Sequence, residues 1–220
     1  YDKDMLKNYA ELIEPSQHVD DGTWTMETML AMTSGLYNDM NNNQKADKDD
    51  SFGFTSLNWH FDAIYYGCGM TMLEKDPDPA KLLKIADDWT SEKAISLGAS
   101  VGEWIKKGDA YLDSNNYANI FINGNTLLVM ARHHDIASKI ADAGFKYGIV
   151  PMPKLNAEQE KYYTPCSAHM AYAVVIPNCV EDEEFSAYMT ELVYTRCKYR
   201  KYCRVGSVKA EYYHYPKDSR

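Results

Sequence analysis

Between Tyr37 and Phe54 the chain reads YNDMNNNQKADKDDSFGF, with oxygen-bearing side chains at Asp39, Asn41, Asn43 and Asp47 and another at Asp50. Ca²⁺ takes six to eight oxygen ligands, and an EF-hand-type loop draws them from positions 1, 3, 5, 7, 9 and 12. With Asp39 as position 1, the others fall on Asn41, Asn43, Lys45, Asp47 and Asp50. Lys45 is no obstacle, because position 7 contributes its backbone carbonyl. Two departures stand against the pattern. Gln44 occupies position 6, where glycine is usual, and a left-handed turn there costs about 1 kcal/mol. Asp50 replaces the longer bidentate Glu at position 12. The competing reading is a polar Asn/Asp turn between two elements. The loop brings no histidine or general base, so a cation here is expected to be a structural clamp.

Catalytic patterns are missing from the sequence. It contains no GxSxG, HExxH, Walker loop or GxGxxG, and the histidines of ARHHD are chain neighbours that do not face one site. The five cysteines (68, 166, 179, 197 and 203) include no CxxC pair and form no zinc spacing. The expectation is a protein that is not an enzyme.

The elements that must position such a loop can be read from periodicity. Met5, Leu6, Tyr9, Leu12 and Ile13 predict a helix within 1–14. Thr25 is a plausible N-cap with Glu27 in the first turn, ahead of a methionine-rich stripe at Met26, Met29 and Met32. Residues 74–108 predict two helices. Pro79 suits the first turn of one; Thr90 or Ser91 suits the cap of the other, with Ala94, Leu97, Val101, Trp104 and Ile105 on one side. Buried strands are expected at Thr126–Ala131, Tyr147–Val150 and within AHMAYAVVIPN, and a last helix in EDEEFSAYMTELVYTR. Strands alternating with helices indicate an α/β layer architecture.

At 220 residues, 45% hydrophobic and with 18 Tyr and 4 Trp, the chain can bury a substantial core. Its net charge of −9 disfavours a nucleic-acid partner. Residues 193–220 carry eight Lys/Arg against two acids, a basic, Tyr-rich tail on an acidic body of 1–192. No stretch approaches a membrane span. The opening YDKDMLKNYAELIE contains no signal peptide, which suggests a processed chain or a fragment.

Six segments then combine in order: DGTWTMETMLAM, DMNNNQKADKDDSFGF, YYGCGMTMLEKD, FINGNTLLVM, YGIVPMPK and YYTPCSAHMAYAVVIPN. Together, over about residues 1–192, they resemble the extracellular solute-binding proteins (family 1 type) of carbohydrate ABC transporters. The resemblance implies a periplasmic-binding-protein-like (type II) lobe, with helices packed around a short-stranded sheet, from roughly the second half of a bilobal protein. It also implies an extracellular, lipid-anchored or periplasmic location. The expected partners are an oligosaccharide or other small solute and the permease subunits of an importer, with the membrane reached only through a lipid anchor outside this chain. Some relatives carry a calcium loop of D-x-N-x-N-x-K-x-D type in this lobe, matched here by Asp39, Asn41, Asn43, Lys45 and Asp47. The residue after Asp47 is Lys48, where the family often has an acid; Asp50 is the expected last ligand. Sugar recognition needs flat apolar faces and a few polar groups. The candidates are Trp59, Tyr65, Tyr66, Trp104, Arg132, Tyr163 and His169. The alternatives are a calcium-dependent interaction module of dockerin-like type, of which the chain holds only one loop, and a glycan-active enzyme.

Overall fold

Strand β1, Phe52–Ser56, is the axis of the fold. In the computed structural model, which describes residues 1–78, 80–141, 143–165, 176 and 179–199, β1 runs parallel to β4 (Ala110–Leu112) on one side. On its other side it runs parallel to β5 (Thr126–Met130), giving the sheet order β4-β1-β5. All five residues of β1 are buried, as expected of a central parallel strand covered on both faces. The chain is thus mixed α/β with a small parallel sheet. A separate antiparallel pair joins β2 (Leu73–Lys75) to β3 (Leu83–Ile85).

Helix α3, Met26–Thr33, starts where Thr25 Oγ1 accepts the Thr28 amide at 3.3 Å, and its Met26, Met29 and Met32 enter the core. Its end lies directly on β1. A Cβ at Gly53 would stand 2.1 Å from the Thr33 carbonyl oxygen, so only glycine allows this approach. Helix α5, Glu92–Lys106, is capped by Ser91 and buries Leu97 and Trp104. Phe54 and Trp104 meet at 4.5 Å between ring centroids, and Phe52 stacks on Tyr111 at 4.4 Å. Between the sheet strands lie α4 (Phe61–Gly67) and α6 (Tyr117–Ile122); α7 (His133–Asp135) continues into one π turn, Ile136–Ile140.

Three expected elements are corrected. The N-terminal helix shrinks to α1, Lys3–Leu6, because the first residues are held in extended pairing: Asp2 N donates to Leu127 O and Lys3 N to Lys146 O. A second short helix, α2, begins at Pro15 and ends at Asp20. The helix expected after Lys75 is replaced by the β2–β3 pair and a single 3₁₀ turn, Asp87–Thr90. The strand expected at Tyr147–Val150 is one bridge, Asp2 to Tyr147. Pro79 and most of AHMAYAVVIPN lie outside the described residues.

The chain divides into two units, Tyr1–Pro165 and Cys166–Arg220. Everything above belongs to the first. In the second, α8 runs from Glu183 to Tyr199 with Glu183 and Glu184 in its first turn, complementing the helix dipole. Among the described residues no helix is long and apolar enough to cross a membrane.

Candidate functional site

Two places gather chemistry-bearing side chains, one at each end of β1. At the amino end, Asn38 and Ser51 bridge the base of the acidic loop. Within the loop, Asp39 accepts from the backbone amides of Asn43 (3.2 Å) and Gln44 (2.8 Å). Asn41 Oδ1 accepts from Asn43 N, and Asn43 Oδ1 from Lys45 N. The Asn41 and Asn43 side-chain amides donate to the Asp47 carboxylate, the latter at 2.7 Å. These bonds, chiefly the one from Asp49 N, hold the Asp47 carboxyl below its usual range. Asn42 and Gln44 both have positive φ, 57° and 62°, which curls the loop tightly. Asp50 behaves differently. Fully buried, it accepts from Met40 N, Asp47 N and the Tyr37 hydroxyl, so it staples the loop shut. Among the described residues no group of three or more His, Cys, Asp or Glu side chains forms a metal centre. The loop's set is instead mixed, carboxylate with amide.

At the carboxyl end of the sheet, Ser56 is level with Leu112 of β4 and Met130 of β5. Three short segments leave the strands there. The β1 segment presents Trp59 to solvent, 63% exposed. It is pinned by His60, whose buried ring lies 3.4 Å from the Met130 carbonyl through Nδ1 and meets the Tyr117 ring edge-on. Burial lowers the His60 pKa. The β4 segment is Asp113–Asn116; three hydrogen bonds from Asn115 and Asn116 outweigh burial and keep the Asp113 carboxyl below its usual range. The β5 segment carries Arg132, whose Nε and Nη2 donate to Asp135 at 2.7 and 3.2 Å. Burial alone would raise the Asp135 carboxyl; Arg132, with Tyr117 and Lys139, holds it at about 2. The Tyr117 hydroxyl lies beside this pair, yet neither it nor His60 Nε2 has a hydrogen bond of good geometry.

The expected solute residues separate. Trp59 and Arg132 stand on adjacent strand ends. Trp104 does not join them: it is 3% exposed and donates to Thr33 Oγ1 at 3.0 Å inside the core, leaving no face for a ligand. Tyr65 is also buried, its ring against Trp89 and its hydroxyl bonded to Thr71 O. Tyr66 packs edge-on to Tyr65 and is partly covered. Tyr163 is half exposed against Gly69. His169 lies outside the described residues. Sequence reasoning missed His60, Asp113, Tyr117 and Asp135. Asp135 had a signal, since it follows Arg132 at the i,i+3 spacing of a helical ion pair.

This arrangement offers a flat indole, a half-used guanidinium and a polar amide-rich turn on three level strand ends. Behind them, buried, the Ser56 hydroxyl lies 3.5 Å from His60 Nδ1. Comparison with protein-family models, curated proteins and solved structures gives no match for this chain.

Proposed function

We propose that the chain is a type II periplasmic-binding-protein-like lobe of an extracellular, lipid-anchored solute-binding protein. It captures an oligosaccharide for an ABC importer and is steadied by a calcium loop. The observation that supports this reading is the placement of Trp59, Arg132 and the Asp113–Asn116 turn just beyond the level carboxyl ends of three parallel strands. Open α/β sheets take their ligands in that crevice, where the strand order reverses. The order β4-β1-β5 reverses at β1. The six ordered motifs of the sequence add the transporter context.

Binding, not turnover, is the mechanism. The solute stacks on Trp59 and is oriented by Arg132, and its differential affinity stabilises the closed state. In the loop, Asp39, Asn41, Asn43 and Asp47 with the Lys45 carbonyl would hold the cation, while Asp50 closes the turn around them. Calcium there supplies charge neutralisation and stiffness, away from the solute.

Calorimetry of the chain against a panel of neutral and acidic oligosaccharides, with and without chelator, tests the reading. A bound, unaltered glycan is expected, and Trp59→Ala should weaken it roughly tenfold or more. Released product, or calcium-dependent capture of a protein with no sugar bound, overturns it. The cation site has its own readout. Tyr37 touches Asp50 at 3.2 Å, so Tb³⁺ bound in the loop should emit on tyrosine excitation, and Asp39→Ala should abolish the emission. No emission in the unmodified chain reduces the loop to a polar turn.

A further inference from the structure

The turn between β1 and α4 hangs on two buried residues. Leu57 and His60 are 3 and 8% exposed, while Asn58 and Trp59 between them face solvent. The His60 ring reaches across to β5, where Nδ1 lies 3.4 Å from the Met130 carbonyl oxygen; Ser56 Oγ is 3.5 Å away. A carbonyl only accepts, so the proton of the neutral ring sits on Nδ1 and Nε2 is left as a bare acceptor. Among the described residues nothing bonds to that buried Nε2. Neutral imidazole fits this place. Imidazolium does not, because its second N–H would be buried without an acceptor.

We propose that His60 is a proton-operated latch: neutral, it holds the Trp59 turn against β5, and protonated, it leaves that place and frees the turn. The surroundings favour release over a charge held in place. Arg132, on the segment after β5, repels an imidazolium. Asp135 of α7 attracts it, but that carboxylate is already engaged by Arg132 at 2.7 and 3.2 Å and by Lys139 at 3.4 Å. Burial pushes the Tyr117 hydroxyl of α6 up, so it stays protonated and brings no charge. Asp62 of α4 is exposed and accepts its neighbour's amide, Ala63 N, at 2.8 Å. Asp113, beyond β4, is turned onto Asn115 and Asn116. Nothing ties the ring to its own helix, since His60 makes no side-chain cap bond to α4. Burial, the largest influence, places the His60 pKa below 6.5, so the latch is complete above that value and lost as pH falls below it. The latch belongs to the fold; only its effect on a glycan rests on the solute-binding reading.

NMR of the full chain between about pH 7.5 and about pH 4.5 reads the latch without any solute. The His60 ring should titrate with a midpoint below 6.5. Over the same midpoint the amides of His60 and Ala63, bonded to Leu57 O and His60 O, should lose protection against hydrogen exchange by roughly tenfold. His60→Asn, whose side-chain amide can still donate to Met130 O but cannot titrate, should keep that protection throughout. Arg132→Gln removes the like charge and should move the midpoint to higher pH. A ring that charges with protection unchanged, a loss of protection that persists in His60→Asn, or a midpoint at 6.5 or above overturns the proposal. If His60→Asn does not fold, the shared midpoint in the unmodified chain and its shift in Arg132→Gln still decide. With a glycan present, affinity should fall across the same midpoint. A chain that binds no glycan at any pH overturns the solute reading alone, because the exchange data need no ligand.

Discussion

Gln44 shows how a single residue carries the strain of the acidic loop. Its φ of 62° puts a Cβ into the left-handed region, and its amide donates to Asp39 Oδ2 at 2.8 Å. Asn42, at 57°, is better suited, since a short polar side chain can bond its own backbone there. The sequence pattern anticipates this cost, because position 6 of such loops calls for a glycine. Gln44→Gly should therefore raise stability by about 0.5–1 kcal/mol, measured by thermal unfolding, with the Tb³⁺ titration midpoint unchanged. A lowered melting temperature would mean that the Gln44 side chain supports the loop by contact. The two tryptophans read as sugar platforms make a second lesson at this scale. Trp59 follows a buried strand and opens to solvent, whereas Trp104 shares a helical stripe with Leu97 and Val101, the ordinary signature of a core position. Residue type alone treats them alike; their elements separate them.

Elements were legible where local signals were redundant. Helix α5 has a Ser91 cap, an acid in its first turn and a full apolar stripe, and α3 has the same combination at Thr25 and Glu27. Strand β5 stood out as an unbroken apolar run after a glycine turn. Other elements had weaker signals. β1 is FGFTS, buried on both faces and so without alternation, and β4 is three residues long. The β2–β3 segment reads as a helix in sequence because a short apolar run such as Leu82, Leu83 and Ile85 fits either period, and only cross-strand pairing decides the issue. The strand-end cluster was half visible, since Arg132 and Trp59 can be picked from sequence but the register that levels them cannot. That cluster also ties β5 to α7, and the tie titrates. Asp135 is held at about 2 in the folded chain, below the roughly 3.9 of an unfolded Asp. A depressed carboxyl stabilises above its unfolded value, so this contribution is complete above about pH 4 and lost as pH falls toward 2. Melting temperatures of the unmodified chain and Asp135→Asn should differ at pH 6 and converge as pH drops from about 4 to 2. A gap that persists at pH 2 would show that Asp135 acts through packing and not through charge.

At the scale of the whole molecule, charge and contacts divide the chain in different places. The basic, Tyr-rich character begins near Val193, while the structural units meet at Pro165 and Cys166. Among the described residues, every member of the principal core cluster, from Tyr1 through Trp24, Phe54, Trp104 and Leu128, belongs to the first unit. Its outermost supports, Met152, Leu155 and Tyr162, also precede the division. Both chemistry-bearing ends of β1 lie within the same unit. A domain of this size buries enough apolar surface to fold by itself, so residues 1–165 carry the fold, the acidic loop and the strand-end cluster together. A chain ending at Pro165 should accordingly unfold in one cooperative transition in urea and keep the near-ultraviolet circular dichroism of packed tryptophans. Its melting temperature should rise with Ca²⁺ by as much as that of the full chain. A broad, non-cooperative transition would mean that the sheet is completed by residues after 165, and that β1 alone does not organise the site.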